Sequence, residues 1–379
     1  MTLHEVLQAH VESGSVPGAV GLIATGDDVE VVAVGSVDVE GSAPMSRDSI
    51  FRIASITKPI TAAAVMVLVD DGRVALDDPI SRWLPELAAP SVVRSPSGPI
   101  EDVVPLARPI TVFDVLTSRA GYGFPEEFSL AAAMRLFQEM YNSDPRDPST
   151  WPEYDVWLAT LATIPLLGQP GELWLYNTPS DLQGALVARA SGGSFADFLD
   201  ERIFGPLGMT DTAFLVPKDK MDRFTTCYQP SPDGTMDVFE APPGHWDTMP
   251  AFQSGAGGLA STVDDWLRFG RMLLAGGGDV LSAESVRLMT TDHTTAAQRE
   301  IGALFLEGQG WGFGGSVDIA AIDPWNILGR YGWVGGTGTS AHITPSTGTV
   351  AIQLTQVAAD SPVPPDWMRD FWRYAASAG

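Results

Sequence analysis

Cysteine and histidine are both scarce in this chain, which limits the chemistry open to it. A single cysteine, Cys227, among 379 residues excludes an internal disulfide and a thiolate metal cluster. None of the five histidines belongs to a metal spacing such as His-x-x-x-His, and the chain lacks the Gly-x-Ser-x-Gly motif that would accompany a Ser-His-Asp triad. We therefore predict no metal and no cofactor, and we interpret Cys227 as a packed thiol.

Basic residues are also few. Lys and Arg total 22 against 47 Asp and Glu, which gives a formal net charge of -25. Nucleic acids and anionic membrane surfaces both require concentrated positive charge, so neither is expected as a partner. No segment approaches the roughly 18 consecutive apolar residues of a membrane span, and the first ten residues lack the basic and apolar regions of a signal peptide. These absences predict a soluble, cytoplasmic protein, and they leave its oligomeric state open.

Lysine occurs only three times, and one occurrence is chemically informative. Lys58 ends the sequence Ser55-Ile56-Thr57-Lys58, just before a strongly helix-compatible segment, residues 60–69. Ser and Lys at this spacing share one helix face a single turn apart, which places a hydroxyl nucleophile beside an amine base. The apolar segment predicts a buried helix, capped by Thr57, whose N-terminus favours an anionic centre. A capping serine beside a surface lysine is the alternative interpretation.

Two later segments could supply what a Ser-Lys pair still needs. Such a nucleophile requires a group that shuttles protons and a second hydrogen-bond donor for the oxyanion. Tyr176 comes just before a predicted helix that begins near Pro179, and residues 331–340 form a Gly-rich entry to a strand. The backbone of such an entry can approach a ligand closely. We expect both segments to converge on Ser55.

The order of the predicted elements indicates an α+β fold. Residues 3–11 form an amphipathic helix, and the strands 18–25 and 29–35 form a hairpin. Helices predominate from about residue 110 to residue 215, and a final helix, 367–376, follows several short strands. Hairpins near both ends predict one antiparallel sheet flanked by terminal helices, an α/β sandwich, with an inserted, mostly helical domain.

The same elements suggest where the domains begin and end. We place the sheet domain at residues 1–54 plus 216–379, the helical domain at residues 55–215, and the active site between them. The later elements on which this division depends are one helix, 263–274, and the strands 315–322, 340–344 and 349–356. The helices predicted for the middle of the chain are 111–116, 129–141, 154–164, 179–190 and 194–204.

With these motifs in view, the chain resembles the serine β-lactamase-like, penicillin-recognising family, in particular its class C β-lactamase and family VIII carboxylesterase branch. Besides Ser55-x-x-Lys58, the resemblance depends on motifs spread in order over nearly the whole chain: Leu76-Asp77-Asp78-Pro79, Pro170-Gly171-x-x-Trp174-x-Tyr176, Ile203-Phe204-Gly205-Pro206-Leu207-Gly208-Met209-Thr210-Asp211-Thr212 and Gly257-Gly258-Leu259-Ala260-Ser261-Thr262. It implies the β-lactamase/DD-peptidase-like fold. It also implies that Ser55, Lys58 and Tyr176 are catalytic and that the N–H groups of Ser55 and Gly336 form the oxyanion hole.

Three positions depart from the pattern of that family. Trp333 stands where the family's Lys-Thr-Gly element has Lys, in the sequence Trp333-Val334-Gly335, and Trp here is similar to the esterase branch. Thr178 replaces the last residue of the Tyr-x-Asn element, and Ser118 begins the segment that is commonly His-Thr-Ser-Gly. The resemblance implies that Trp333, Gly335 and Thr178 bind substrate, although Trp333 could equally be an apolar pocket wall. Loss of the Lys argues against β-lactamase or peptidase activity, because that Lys faces the substrate carboxylate.

These residues predict a serine hydrolase that cleaves small-molecule carboxylic esters through an acyl-Ser55 intermediate, as in family VIII. The Ser55 proton would move to Lys58, to Tyr176 or to the two acting together. To act as a base near pH 7, either group would need a pKa well below its reference value near 10. β-Lactamase, amidase or acyltransferase chemistry at the same site is one alternative. A non-catalytic binding or regulatory protein with this fold is the other, suggested by Thr178 and Ser118.

Overall fold

The chain folds around one antiparallel sheet with helices on both of its faces. The computed structural model describes residues 1–141, 148–231 and 234–378. The α-helices of these parts of the chain are α1 Leu3–Glu12, α2 Lys58–Asp70, α3 Val112–Leu116, α4 Ala131–Tyr141, α5 Tyr154–Leu161, α6 Thr178–Ser191, α7 Phe195–Leu199, α8 Gly205–Leu207, α9 Val263–Leu274, α10 Ala283–Met289, α11 Ala296–Ile301, α12 Ala303–Leu306 and α13 Asp366–Ala378.

Seven strands form the main sheet, and the others pair in twos. The strands are β1 Gly18–Thr25, β2 Asp28–Gly35, β3 Phe51–Arg52, β4 Val92–Val93, β5 Val103–Val104, β6 Cys227–Pro230, β7 Met236–Glu240, β8 Ala260–Ser261, β9 Gly310–Trp311, β10 Ser316–Val317, β11 Tyr331–Gly335, β12 Thr339–Thr344 and β13 Thr349–Thr355. The order in the main sheet is β2-β1-β13-β12-β11-β10-β9, and the two-stranded sheets are β3-β8, β4-β5 and β6-β7.

Strands from the two ends of the chain are neighbours in the main sheet. β1 pairs with β13 in an antiparallel register that sets Ala19 opposite Thr355. β1 is buried on both faces along all but its last residue, which explains its continuous apolar sequence. On one face, a Cβ on Gly21 would touch both Leu7 of α1 and Phe371 of α13, so the terminal helices lie directly on this strand.

Helix α2 runs through the main core and carries the Ser-Lys motif at its start. Every residue from Lys58 to Leu68 is buried, as the uninterrupted apolar sequence predicts. Pro59 occupies the first turn, where its missing N–H costs nothing. Along its length α2 packs against α6, the helix that follows Tyr176. This packing brings two of the three predicted catalytic segments together.

Most elements predicted from the sequence are confirmed. The strands β1, β2, β12 and β13 and the helices α9 and α13 begin and end within two residues of their predicted positions. The central prediction, one antiparallel sheet built from strands of both chain ends, is also confirmed. The helical pattern between residues 110 and 215 is present as α3 to α8 in the described residues. The fold is therefore α+β, with helices on both faces of the sheet.

Three details of the prediction are wrong. The strand predicted at 315–322 is confined to Ser316–Val317, because the chain leaves the sheet after Val317 and residues 318–322 have irregular backbone. Thr57 does not cap α2 with its side chain; its backbone is helical, and its Oγ1 accepts the Leu259 N–H at 3.4 Å. The helix predicted at 194–204 ends at Leu199 and continues as a π turn over Asp200–Phe204. The short helices α10, α11 and α12 were not predicted.

Two further sequence predictions concern larger features. In the parts of the chain that the structure describes, no helix is both long enough and apolar enough to cross a membrane. The division into a sheet domain and an inserted helical domain stays a prediction. The main hydrophobic cluster contains residues of both segments, such as Val20, Ile60, Leu186 and Leu354.

Candidate active site

Ser55 lies in a strained turn that leads into α2. A 3₁₀ turn, Ala54–Thr57, continues directly into the helix at Lys58. Ala54 has a φ of 43°, a left-handed conformation that costs roughly 1–2 kcal/mol for a residue with a Cβ. Strain of this kind is concentrated at functional sites, where the surrounding structure enforces it. The turn places Ser55 on the wall of a cavity, at the N-terminal end of a buried helix.

Lys58 is fully buried, and its side-chain nitrogen has three oxygen partners. Nζ lies 2.9 Å from Ser55 Oγ and donates to Asn177 Oδ1 at 3.0 Å and to the Ala256 carbonyl at 2.7 Å. Burial lowers the pKa of Lys58 to about 7, against the opposing attraction of Asp181. A neutral amine keeps two hydrogens for the acceptors of Asn177 and Ala256, so its lone pair faces Ser55 Oγ. This is the arrangement of a base beside a nucleophile.

Tyr176 is hydrogen-bonded with Ser55 and with Trp333. The Trp333 indole N–H donates to Tyr176 Oη at 2.7 Å, and Lys58 Nζ is 4.5 Å from the centre of the phenol ring. Burial raises the pKa of Tyr176 to about 12, although hydrogen bonding with Ser55 and Trp333 offsets part of the rise. The phenol therefore keeps its proton near neutral pH. Of the two bases that the sequence left open, the electrostatics favour Lys58.

The end of strand β11 packs tightly against the turn that carries Ser55. A Cβ on Gly335 would lie 2.1 Å from Thr339 Oγ1 and 2.5 Å from the Ile53 carbonyl, so only glycine permits this approach. Thr339 Oγ1 donates to the same Ile53 carbonyl at 2.8 Å. Gly336 follows with open space at its Cα, and it lines the cavity together with Ser55. The two predicted oxyanion donors thus border the same cavity.

The segment after Tyr176 sends its side chains in two directions. Asn177 has a φ of 73° and lines the cavity, with its Oδ1 bound to Lys58. Thr178 begins α6, is completely buried, and accepts the Tyr141 hydroxyl proton at 2.7 Å. It is not among the described residues that line the cavity. The structure brings the other predicted site residues together but turns Thr178 away, so its substrate-binding role stays a prediction.

The segment that begins at Ser118 differs from the family in its side chains, but its backbone still supports the site. Ser118 is buried with a φ of 58°. Its carbonyl accepts the Leu175 N–H at 2.9 Å, and the Arg119 carbonyl accepts the Gly171 N–H at 2.8 Å. These bonds hold the segment that leads to Tyr176. The backbone of Ser118 and Arg119 thus helps to position Tyr176.

The cavity beside Ser55 has a volume of about 240 Å³ and a mostly apolar wall. Among the described residues of its lining, the cationic side chain is Arg52, whose Nε donates to Glu240 at 2.6 Å and whose guanidinium stacks 4.1 Å over Phe224. A substrate carboxylate therefore finds no uncommitted positive charge in the lining that the structure describes. The aromatic members of the lining are Phe124, Phe128, Phe137, Tyr176, Phe239, Trp246, Phe305 and Trp333.

Sequence reasoning missed three contributors to this site. Asn177 and Ala256 supply acceptors to Lys58, and Asp181 lies buried behind them. Ala256 acts through its carbonyl, so its residue type carries no signal. A carboxylate in the first turn of a fully buried helix could have indicated Asp181, because an unpaired buried charge is costly.

The remaining candidate groups do not gather into a second reactive centre. In the described ranges, no group of three or more His, Cys, Asp or Glu side chains could hold a metal ion. His342 and Cys227 are buried, and the His293 ring stacks on Phe313. The chemistry of the cavity is that of a hydroxyl between an amine and a phenol, which suits acyl transfer.

Comparisons with known proteins match nearly the whole chain. The Beta-lactamase family model matches residues 3–371. An uncharacterized protein of Mycobacterium tuberculosis is 39% identical over 365 residues, which cover 92% of this chain and 88% of that protein. Esterase EstB of Burkholderia gladioli is 32% identical over 363 residues, which cover 90% of this chain and 86% of the esterase.

A solved structure matches the same extent of chain. It is that of EstCE1, described as a hydrolase with promiscuous acyltransferase activity. The two folds superpose with a TM-score of 0.81 at 25% sequence identity, covering 98% of this chain and 97% of EstCE1. The range matched by the family model contains Ser55, Lys58, Tyr176 and Trp333.

Proposed function

The chain belongs to the β-lactamase family of serine hydrolases, and we propose that it cleaves neutral carboxylic esters through an acyl-Ser55 intermediate. Membership of this family confirms the resemblance read from the motifs. The observation that carries the proposal is the 2.9 Å contact between Ser55 Oγ and the buried amine of Lys58. A small-molecule ester is the partner that the apolar cavity suits, and a cytoplasmic location stays a prediction.

The first half of the proposed reaction transfers the acyl group to the enzyme. Ser55 Oγ attacks the ester carbonyl while its proton moves to Lys58. The backbone N–H groups of Ser55 and Gly336 hold the tetrahedral oxyanion, and a donor of this kind is worth roughly 3 kcal/mol in comparable hydrolases. The leaving alkoxide takes a proton from Tyr176, which Lys58 replaces, and an alcohol departs.

The second half returns the enzyme to its starting state. Water enters where the alcohol has left and attacks the acyl-Ser55 carbonyl, giving its proton to Lys58 through Tyr176. The second tetrahedral intermediate collapses to a free carboxylic acid, and Ser55 regains its proton. A protonated Tyr176 fits both halves, because it relays a proton in each direction without becoming a stable phenolate.

The character of the cavity supports neutral, apolar esters as the substrate class. Trp333 occupies the position of the family's substrate-facing Lys, and its N–H is committed to Tyr176. Arg52 is committed to Glu240. Aromatic side chains form much of the wall, and these favour apolar groups through area burial. Acyl transfer to an alcohol other than water follows the same steps and is the second candidate, since EstCE1 is described as having promiscuous acyltransferase activity.

Hydrolysis of short-chain p-nitrophenyl esters tests the proposal. We expect turnover by the wild-type chain, an intact-mass increase of one acyl group on Ser55, and a loss of at least about 10³-fold in Ser55→Ala. Activity should rise with pH through about 7, because Lys58 must be neutral to accept the Ser55 proton. Nitrocefin and an added alcohol acceptor in parallel assays distinguish lactamase and acyltransferase chemistry.

One result of these assays would favour the non-catalytic alternative. A folded wild-type chain that neither cleaves any ester nor reacts at Ser55 with a fluorophosphonate would refute the esterase proposal. Ester cleavage that survives Ser55→Ala would refute the assignment of the nucleophile.

A further inference from the structure

A buried carboxylate, Asp181, lies behind the Ser-Lys pair. We propose that Asp181 is a positioning residue that holds the acceptor of Lys58 in place and, through its negative charge, governs when Lys58 can take the Ser55 proton. The inference rests on the proposed function, since it assigns Lys58 the role of base. It concerns a residue that touches neither substrate nor nucleophile.

The geometric link between Asp181 and Lys58 runs through a short segment of backbone. Asp181 Oδ1 accepts the Ser254 hydroxyl proton at 2.7 Å and the Ala256 N–H at 3.2 Å. The carbonyl of the same Ala256 accepts from Lys58 Nζ at 2.7 Å. One carboxylate therefore holds the Ser254 side chain and the N–H of Ala256, the residue whose carbonyl binds the amine.

Both flanking helices enclose this segment. A Cβ on Gly255 would lie 2.3 Å from the Ser180 carbonyl of α6, and the Gly255 carbonyl accepts the Thr61 hydroxyl proton of α2 at 2.8 Å. Segment 254–256 is thus confined between the helix that carries Lys58 and the helix that carries Asp181. A displacement of Asp181 would move the Ala256 carbonyl and with it Lys58 Nζ.

The charges of the two groups oppose the effect of their burial. Burial lowers the pKa of Lys58 to about 7 and raises the pKa of Asp181 to about 6, and each charge attracts the other. Without Asp181 the buried ammonium would be still less favourable, and the pKa of Lys58 would fall further. Because the two groups interact strongly, each one's titration depends on the protonation state of the other.

The other titratable groups that face this pair are tyrosines. The Tyr141 hydroxyl is 3.3 Å from Asp181 Oδ2, Tyr154 donates to the Gln253 carbonyl, and Tyr176 lies under Lys58 Nζ. Burial raises the pKa of all three phenols, and for Tyr141 and Tyr154 the charge of Asp181 adds to the rise. All three stay neutral near pH 7, so the charge that Lys58 experiences from these packed groups comes from Asp181.

The low lysine count allows the charge of Lys58 to be observed directly. The chain has three lysines, Lys58, Lys218 and Lys220, so lysine labelled with ¹³C at Cε gives three signals. Lys218→Arg and Lys220→Arg assign them in the full-length chain. The pH titration of the Lys58 signal then reports its protonation without any reference to catalysis.

We expect Asp181→Asn to move the Lys58 titration to lower pH by about one pH unit or more, because it removes a neighbouring opposite charge. The low-pH limb of ester hydrolysis should move in the same direction. An unchanged titration in a folded Asp181→Asn chain would overturn the inference. If the wild-type chain were inert toward esters, the titration would still test the charge effect, so the two proposals fail separately.

A matched pair of tyrosine variants decides the question if Asp181→Asn does not fold. Tyr141→Phe removes a hydroxyl that lies 2.7 Å from Thr178 Oγ1 and 3.3 Å from Asp181 Oδ2, whereas Tyr154→Phe removes a donor to the Gln253 carbonyl and no contact of the carboxylate. Loss of the Tyr141 hydroxyl raises the pKa of Asp181, so less of the carboxylate is ionised while Lys58 titrates, and the Lys58 titration should shift modestly to lower pH. Tyr154→Phe should leave the titration in place. Equal titrations in the two variants would contradict the proposed role.

Discussion

The indole N–H of Trp333 is the contact that most directly orients the proton of Tyr176. It occupies one acceptor position of the phenol oxygen at 2.7 Å, which leaves the phenolic O–H free to face Ser55. The sequence left Trp333 with two interpretations, a substrate-binding residue or an apolar pocket wall. Its ring lines the cavity and its N–H is bound to Tyr176, and a direct role in substrate binding stays a prediction.

Replacement of Trp333 by Phe should lower kcat for ester hydrolysis about tenfold, the effect of one lost hydrogen bond of roughly 1–1.5 kcal/mol. Trp311→Phe is a matched control, since the Trp311 ring packs edge-on against Trp333 and its N–H has no hydrogen-bond partner in the residues that the structure describes. Steady-state kinetics of both variants test the prediction. Equal losses in the two would mean that ring packing, and not the hydrogen bond, is what matters.

Strand β11 and the Ser55 turn depend on each other through Gly335. A Cβ at this position would overlap the Ile53 carbonyl and Thr339 Oγ1. Gly335→Ala should therefore lower the free energy of unfolding by about 1–3 kcal/mol and reduce kcat at least tenfold, because the turn that carries Ser55 must shift. Gly193→Ala, where the added Cβ meets nothing within 4 Å, is the control. Urea unfolding and kinetics measure both effects, and wild-type behaviour of Gly335→Ala would disprove the tight approach.

The elements that the sequence predicted well are those with strong local signals. The hairpin of β1 and β2, the buried helix α2 and the Ser-Lys spacing all follow from periodicity and turn residues within a short window. Tyr176, Trp333, Gly335 and Gly336 were assigned through the resemblance to a family, and the structure sets them around one cavity.

The features of the site that could not be predicted from the sequence depend on tertiary contacts. The Ala256 carbonyl and the Asp181 carboxylate reach Lys58 only after α2, α6 and segment 254–256 pack together. Thr57 is a typical capping residue by type, yet the chain continues helically through it, and its Oγ1 accepts the Leu259 N–H instead of capping the helix. Local rules are overridden where three distant segments meet.

The terminal helices α1 and α13 pack together on one face of the main sheet. Phe371 of α13 is fully buried in a cluster with Leu3, Leu7 and Trp325, and it is not among the described residues of the cavity lining. Phe371→Ala should reduce the free energy of unfolding by about 3–5 kcal/mol. The kcat of the molecules that remain folded at 25 °C should stay close to wild type.

Tyr374→Phe provides the control on the same helix, because it keeps the ring and removes only a hydroxyl that contacts Glu30 and the Leu3 backbone at the surface; its stability should change by less than about 0.5 kcal/mol. Urea titration followed by tryptophan fluorescence compares the two variants. A Phe371→Ala chain as stable as wild type would show that the packing of α13 on the main sheet contributes little to stability.

The contact of Gly335 and Thr339 with the turn that carries Ser55 has a consequence for the chain while it is being synthesised. Ser55 and Lys58 emerge from the ribosome early, yet the turn that presents Ser55 is fixed by Thr339 and Gly335, almost three hundred residues later. Under the proposed mechanism, Ser55 therefore becomes reactive only after β11 and β12 have docked against the turn that carries it. The order of synthesis thus delays completion of the site around Ser55 until most of the chain has been made.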